Sequence, residues 1–246
     1  MPSSVAINAV TVIAAGRPIL RDVTLHIAPR ESVALIGRSG AGKTTLLRLL
    51  NGLATPATGT VSIDGVPFAG DLAVRRRSIG TMLQAPALFP HRTIYDNVAT
   101  VPRLLGWDEA RIRTAARELL EQLELPFDRF AARFPRSLSG GEQQRAGIAR
   151  AMIAAPPLLL CDEPFSAVDP LVRRELQESF IRLRDRGEVT MVFVTHDLAE
   201  ALRVGERIVL VDDGAIVCDE SRARFLASEH PLVRRFLDAA RIPEAS

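Results

Sequence analysis

The stretch that most constrains the fold is residues 32–50, where an apolar run leads into a glycine-rich turn and then into an apolar-periodic segment. The run "SVALIG" is typical of a strand buried on both faces. The turn "GRSGAGKT" fits the phosphate-loop pattern G-x-x-x-x-G-K-[ST], and it lies between a strand and a helix, as that pattern requires. The order strand, loop, helix predicts an α/β fold with a parallel sheet.

The distribution of basic residues explains one position of this loop. Lys43 is the only lysine in the chain, and all the other basic side chains are arginine. A compact ammonium reaches between the β- and γ-phosphates of a nucleotide, a niche too narrow for a planar guanidinium. The hydroxyl of Thr44 is the predicted Mg²⁺ ligand. The predicted nucleotide-binding residues of the loop are Gly37, Arg38, Ser39, Gly40, Ala41, Gly42, Lys43, Thr44 and Thr45.

Charge and cysteine content exclude several classes of protein. The net charge is +2, and acidic and basic residues are interspersed, so no nucleic-acid-binding tail is indicated. The run Arg75–Arg77 is interpreted as a solvated face, with a phosphate-binding patch as the alternative. Cys161 and Cys218 are too few for a disulfide framework and indicate a reducing compartment. Since neither a secretion signal nor an apolar run of about 18 residues occurs, we expect a cytoplasmic protein that works at a membrane only through other chains.

Patterns along the chain indicate a core, a helical insertion and a tail. The dipeptides at 64–65 and 213–214 are Asp-Gly between apolar alternations and predict hairpins. Buried strands are predicted at 158–163 and 190–197, with a helix near 170–186 between them. From Asp108, a predicted N-cap, apolar residues follow a helical period through Leu123, and another helix is predicted at 140–155. We predict one domain, 1–246, with core 1–84 and 157–220, helical insertion 85–156 and C-terminal tail 221–246.

Two carboxylates end the predicted strand "LLLCDE". Asp162 and Glu163 would lie at the carboxyl edge of the sheet, where ligands bind in open α/β folds. Asp162 is predicted to orient Mg²⁺, directly or through water. Glu163 is predicted to polarise an attacking water as a general base. An acidic pair that merely ends a strand in solvent is the alternative.

The stretch "LSGGEQQRAGIARA" at 138–151 resembles the signature of the ATP-binding-cassette (ABC) ATPases, which begins Leu-Ser-Gly-Gly. Leu138, Ser139, Gly140 and Gly141 match that signature, and Glu142 stands where many members have glutamine. Ser139 and the two glycines open a helix and offer a second anion-binding N-terminus.

Three more elements of this family occur in the expected order along the chain, one before the signature and two after it. Gln84, after "SIGTML", matches the glutamine that links the core to the helical insertion and senses the metal. Asp169 holds the key position of "SAVD" (166–169), which resembles the loop that contacts the opposite subunit. His196, which ends "TMVFVTH", matches the histidine that contacts the γ-phosphate. The resemblance covers about residues 5–220.

The resemblance implies the ABC ATPase fold, in which a P-loop parallel-sheet core carries an N-terminal antiparallel β subdomain and an inserted helical subdomain. It implies ATP and Mg²⁺ as cofactors and an ATP-bridged homodimer, since the signature of one copy closes the site of the other. The implied catalytic residues are Glu163, His196, Lys43 and Gln84. The implied contacts from the second copy are Ser139, Gly140, Gly141 and Asp169, and the implied metal ligands are Thr44, Gln84 and Asp162.

One family feature is missing near the N-terminus. Family members usually place an aromatic residue there to stack on adenine, and the corresponding place falls near "VIAAG" (12–16), with no aromatic residue before Phe68. Val12 or Ile13 as an apolar contact, and Arg17 as a cover for the ring, are the alternatives. We therefore expect weaker ATP binding and poorer base selectivity than in members with the aromatic residue.

Surface segments at 87–112 and 169–177 look most like the ATPase subunits of osmoprotectant importers, which take up glycine betaine, choline, proline and related compounds. This implies integral membrane permease subunits and a substrate-binding protein as partners, and a peripheral position on the inner face of the cell membrane. An importer subunit for an amino acid, a sulfonate or a polyamine is the alternative. A cassette ATPase that acts on nucleic acid is a remote alternative. Such proteins usually carry a second cassette, long coiled insertions or basic extensions, and this sequence has none of them.

Overall fold

The computed structural model describes residues 1–68, 70–82, 87–166, 168–186 and 188–240. Its strands form two sheets. The strands are β1 Val5–Ala14, β2 Arg17–Ile27, β3 Ser32–Ile36, β4 Thr58–Ile63, β5 Val66–Pro67, β6 Ile79–Met82, β7 Leu158–Asp162, β8 Thr190–Val194, β9 Arg207–Asp212 and β10 Ala215–Ser221. The helices are α1 Lys43–Leu50, α2 Leu72–Arg77, α3 Ile94–Val98, α4 Thr100–Leu104, α5 Glu109–Gln122, α6 Phe127–Phe130, α7 Gly140–Met152, α8 Pro170–Arg186, α9 Leu198–Val204, α10 Arg222–Leu226 and α11 Pro231–Ala239, with a 3₁₀ turn at Pro135–Ser137.

The N-terminal strands form an antiparallel sheet in the order β2-β1-β4-β5. Val5 pairs with Ile27 of β2 and with Ile63 of β4. The hairpin predicted at residues 64–65 joins β4 to β5, where Ile63 pairs with Val66. The predicted antiparallel β subdomain is therefore confirmed.

The larger sheet has the order β10-β9-β3-β8-β7-β6, and all its neighbours are parallel except β9 and β10. Strands β3, β7 and β8 are buried along their whole length, as the continuous apolar runs predicted. The second predicted hairpin, at residues 213–214, joins β9 to β10. Because β3, β7 and β8 are parallel neighbours, the residues that follow them meet at one edge of the sheet.

Alternate side chains of the parallel strands enter two different cores. Val33 and Leu35 pack with helix α1 and the antiparallel sheet. Ala34 and Ile36 face the opposite way, into a core shared with α5, α7, α8, α9 and the C-terminal helices. Helix α1 thus lies between the two sheets, and this burial fixes the loop that precedes it.

The elements between β6 and β7 in the described part of the chain are helical. Asp108 caps α5 as predicted, since its Oδ1 accepts the N–H of Arg111 at 2.8 Å. Ile112, Ala116 and Leu120 form the buried stripe of that helix. No helix among the described residues is both long and apolar enough to cross a lipid bilayer.

Candidate functional site

Three glycines shape the loop between β3 and α1. Gly37, Gly40 and Gly42 have φ values of 147°, 80° and 103°, which side chains rarely tolerate. A Cβ atom at Gly37 would lie 2.1 Å from the carbonyl oxygen of Val211, and one at Gly42 would lie 2.7 Å from Leu20 Cδ2. The loop is therefore pressed between β9 and β2, and only glycine fits at these two positions.

The single lysine is the first residue of α1, and its side chain turns back against this loop. Lys43 is 7% exposed, and its Nζ donates hydrogen bonds to the carbonyl oxygens of Gly37 and Arg38, both at 2.8 Å. Burial lowers the pKa of the Lys43 ammonium, while the charges of Glu163 and Asp162 act in the opposite direction. The loop thus holds a partly desolvated positive charge where an anion can replace the two carbonyl partners.

Asp162 ends β7 directly opposite the start of α1. The hydroxyl of Thr44 donates to Asp162 Oδ1 at 3.3 Å. Burial raises the pKa of the Asp162 carboxyl, and the hydrogen bond from Thr44 partly offsets that rise. A hydroxyl and a carboxylate are oxygen ligands of the kind that Mg²⁺ prefers, so the two residues fit the predicted metal role.

The backbone of Glu163 has a φ of 50°, in the left-handed region that few non-glycine residues adopt. Its N–H donates to the carbonyl oxygen of Val194 at 3.0 Å, and its carbonyl oxygen accepts the hydroxyl of Ser166 at 2.9 Å. Glu163 Oε1 lies 3.4 Å from Nδ1 of His196. Unusual backbone conformations of this kind are common at functional sites.

Residues from the glycine-rich loop and from the ends of two strands line one cleft of about 590 Å³. Its walls include Lys43 and Thr44 at the start of α1, Glu163 directly after β7 and His196 shortly after β8. Ile19 of β2 also lines the cleft, which the sequence analysis did not predict. The fold therefore brings together the phosphate loop, a carboxylate and a histidine, the groups expected for phosphoanhydride chemistry.

The predicted signature lies elsewhere. Ser139 is the N-cap of α7, and it forms a capping box with Glu142: its hydroxyl accepts the Glu142 N–H, and Glu142 Oε2 accepts the Ser139 N–H at 2.7 Å. Gly141 packs so closely on α8 that a Cβ atom there would lie 2.8 Å from Val172 Cγ1. Neither Ser139 nor Gly140 nor Gly141 is among the described residues that line the cleft.

The helix that the signature opens is tied to the loop after Glu163. Gln144 is 3% exposed, and its Nε2 donates to the carbonyl oxygen of Pro164 at 2.6 Å. Asp169 caps α8, since its Oδ1 accepts the N–H groups of Leu171 and Val172, both at 3.1 Å. Gln144 was not predicted from the sequence, because nothing in its local pattern shows that it contacts a loop 20 residues away.

A family model described as "ABC transporter" matches residues 20–166, more than half of the chain. The chain belongs to the ABC transporter family. The cassette is 41% identical over 215 residues to the osmoprotectant import ATP-binding protein OsmV of Salmonella typhimurium, a match that covers 86% of this chain and 56% of that protein. It is 44% identical over 203 residues to the choline transport ATP-binding protein OpuBA of Bacillus subtilis, covering 82% and 53%.

The chain spans little more than half the length of these two curated relatives. A solved structure, the dimeric post-hydrolysis state of the ATP-binding cassette MJ0796 bound to ADP and Pi, is similar over 98% of its own chain and 89% of this one, with a TM-score of 0.81 and 34% identity. The predicted ABC ATPase fold is therefore confirmed.

The residues predicted to replace an N-terminal aromatic residue, Val12, Ile13 and Arg17, differ in their exposure. Val12 is 5% exposed and belongs to the core between the sheets, so it cannot contact a base. Ile13 is 55% exposed, and Arg17 is also exposed. Ile19 is the apolar side chain of β2 that lines the cleft.

Gln84 lies outside the described residues, as does Ala167 of the 166–169 stretch. The structure therefore describes Lys43, Thr44, Glu163 and His196 in the cleft and Asp162 bonded to Thr44, but not the predicted metal-sensing glutamine.

Proposed function

We propose that the cassette binds ATP with Mg²⁺ in the cleft and hydrolyses it. The observation that carries this proposal is the convergence of Lys43, Glu163 and His196 on one cleft next to a glycine-shaped loop. The loop N–H groups at the start of α1 surround phosphates, and the Lys43 ammonium exchanges its two carbonyl partners for phosphate oxygens.

Thr44 and Asp162 are the residues that would hold Mg²⁺. Mg²⁺ held there would neutralise phosphate charge and would lower the pKa of the Asp162 carboxyl, which burial raises. Gln84 is proposed as a further ligand, which connects this position to the helical insertion.

Glu163 acts as the general base that takes a proton from the attacking water, and His196 donates to the γ-phosphate. The 3.4 Å contact between Glu163 Oε1 and His196 Nδ1 supports these roles, because it brings the carboxylate and the imidazole to the same end of the cleft.

Replacing Glu163 with Gln tests the assignment. The change keeps the size of the side chain and removes the base, so hydrolysis falls by about 10²–10⁴-fold while ATP binding remains. Glu118→Gln, on the exposed face of α5, is the matched control. Hydrolysis at the normal rate by the Glu163 variant would contradict the assignment.

A second copy of the chain completes the site. The N-terminus of α7, with Ser139, Gly140 and Gly141, lies outside the cleft of its own chain, and α7 is a 13-residue helix whose dipole favours an anion at that end. In an ATP-bridged homodimer this helix end closes over the γ-phosphate held by the other copy, and Asp169 contacts that copy. The Glu163→Gln variant is expected to accumulate as this dimer with ATP.

A separate groove of about 380 Å³ lies between the sheet core and the helical insertion. Leu53 and Phe89 line it and are 57% and 39% exposed, and Arg76, Arg77 and Arg150 add basic groups. We assign it to a cytoplasmic segment of an integral membrane permease, which places the cassette on the inner face of the cell membrane. An amphipathic segment with acidic residues fits these walls.

Disulfide crosslinking tests this contact in a Cys218→Ser background. Leu53→Cys is expected to crosslink to a cysteine in the permease's cytoplasmic loop. Val66→Cys, 50% exposed on β5 and away from the groove, is the control. Equal crosslinking of both variants would contradict the assignment.

The transported solute is proposed to be an osmoprotectant of the glycine betaine, choline or proline type. The similarity to an osmoprotectant import protein and a choline transport protein supports this substrate class. ATP hydrolysis is measured in the complex with its permease and substrate-binding protein while solutes are added singly. Stimulation by glycine betaine or choline is expected. Stimulation only by an amino acid, a sulfonate or a polyamine would contradict the proposed substrate class but not the proposed ATP hydrolysis.

A further inference from the structure

The hydroxyl of Thr195, directly before His196, bonds to the backbone directly after the histidine and to the side chain of Glu200. Thr195 Oγ1 donates to Glu200 Oε2 at 2.6 Å and accepts the N–H of Asp197 at 3.0 Å. Thr195 itself is 1% exposed, whereas the His196 side chain is 69% exposed. The imidazole thus projects into the cleft from a loop, residues 195–197, whose two ends are fixed by one buried hydroxyl.

The partner of this hydroxyl is a buried carboxylate. Glu200 is 6% exposed and occupies the third position of α9, where a glutamate ordinarily reaches back to the N-cap N–H. Here Asp197 Oδ1 caps the helix by accepting the N–H groups of Ala199 and Glu200. The Glu200 carboxylate goes instead to Thr195, so helix capping does not explain its burial.

The second oxygen of Glu200 faces α8. Arg173 Nε lies 3.7 Å from Glu200 Oε1, and within the described residues this buried nitrogen makes no hydrogen bond. The backbone N–H of Arg173 donates to the backbone carbonyl oxygen of Asp169 at 2.9 Å. Glu200 therefore lies between the loop that carries His196 and the turn of α8 that begins at Asp169.

We propose that Glu200 is a positioning residue that holds His196 toward the cleft through Thr195 and links that orientation to Asp169 through Arg173. The inference rests on the proposed hydrolysis of ATP in the cleft. In the proposed dimer Asp169 contacts the other copy, so the same network connects the histidine to the dimer interface.

Steady-state ATP hydrolysis by the full-length chain tests the proposal. Glu200→Gln keeps the side-chain volume but removes the charge that pairs with Arg173, and a small misplacement of His196 is expected to lower kcat by about tenfold or more. KM for ATP is expected to change little, because Lys43 and the phosphate loop are untouched. Glu178→Gln is the matched control, since Glu178 of α8 pairs with Arg203 of α9 without contact to residues 195–197.

The decisive readout is a double-mutant cycle with His196→Ala. If Glu200 acts through the histidine, Glu200→Gln has almost no further effect on kcat once His196 is absent. An equal loss in both backgrounds, or a loss no larger than that of Glu178→Gln, overturns the proposal. Thr195→Val removes the hydrogen bonds of Thr195 to Glu200 and to the Asp197 N–H without changing the ion pair, and it must show the same dependence on His196 should Glu200→Gln fold poorly.

The His196→Ala variant alone separates a failure of the proposed function from a failure of the positioning role. If His196→Ala hydrolyses ATP normally, the role proposed for the histidine falls, and this inference falls with it. If His196→Ala hydrolyses ATP slowly but measurably and the effects of Glu200→Gln and His196→Ala are independent, only the positioning role is overturned.

Discussion

Replacing Gly37 with alanine introduces a methyl group where the phosphate loop touches β9. The new Cβ atom would lie 2.1 Å from the carbonyl oxygen of Val211, whereas Cβ atoms in proteins are essentially never found within 3.0 Å of such an atom. Either the loop or the end of β9 must therefore shift by about 1 Å, and overpacking of this kind costs about 1–3 kcal/mol. The φ of 147° adds about 1 kcal/mol for a residue with a side chain.

The expected destabilisation of the Gly37→Ala variant is about 3 kcal/mol, which for a chain of this size lowers Tm by about 6–12 °C. Its affinity for ATP should fall too, since the displaced Gly37 carbonyl is one of the two groups that hold the Lys43 ammonium. Thermal unfolding followed by circular dichroism, and titration with a fluorescent ATP analogue, measure the two effects.

Gly106→Ala is the matched control for this prediction. Gly106 has a φ of 75°, but a Cβ atom there meets nothing within 4 Å. It carries the backbone cost alone, about 1 kcal/mol or 2–4 °C, with unchanged ATP binding. If the two variants unfold at the same temperature, the close approach of the loop to Val211 does not limit stability and the reasoning is refuted.

Three further predictions use single residues as reporters. Tyr95 is the only tyrosine, and burial together with its 2.6 Å hydrogen bond to Glu109 raises the pKa of its hydroxyl to about 12. Absorbance at 295 nm after rapid mixing to alkaline pH should show a titration midpoint at this pKa, and a lower midpoint in the Glu109→Gln variant. A midpoint near 10 in the native protein would contradict the prediction. Burial raises the pKa of the Cys161 thiol, which is 1% exposed, so a thiol reagent should modify the partly buried Cys218 first and Cys161 only on unfolding; equal rates would contradict this. Ile19 offers no aromatic face, so about 1–3 kcal/mol of base stacking is missing and GTP should compete well with ATP; tight binding that strongly prefers ATP would refute this expectation.

Local patterns predicted much of this fold because the interactions that set it are local. The buried strands β3, β7 and β8 follow from continuous apolar runs, and the cap at Asp108 follows from a side chain that bonds three residues ahead. The meeting of Lys43, Glu163 and His196 in one cleft follows from parallel strands whose carboxyl ends share one edge.

Contacts between distant segments were beyond such reasoning. The entry of Ile19 into the cleft and the burial of Val12 depend on how the antiparallel sheet packs on α1. The link between Arg173 and Glu200 joins two helices separated by a strand, and neither residue has a distinctive neighbourhood in the sequence. Contacts between side chains that are far apart in the sequence can be identified only from the folded structure.

The buried lysine makes this cassette its own proteolytic reporter. A protease specific for lysine has one cleavage site in the whole sequence, after Lys43, at the first residue of α1. Because that side chain is 7% exposed and bonded to two loop carbonyls, cutting requires the phosphate loop to open. The rate at which the full-length band disappears therefore measures how often Lys43 becomes exposed, by local or global opening, without a dye, a tag or a mutation.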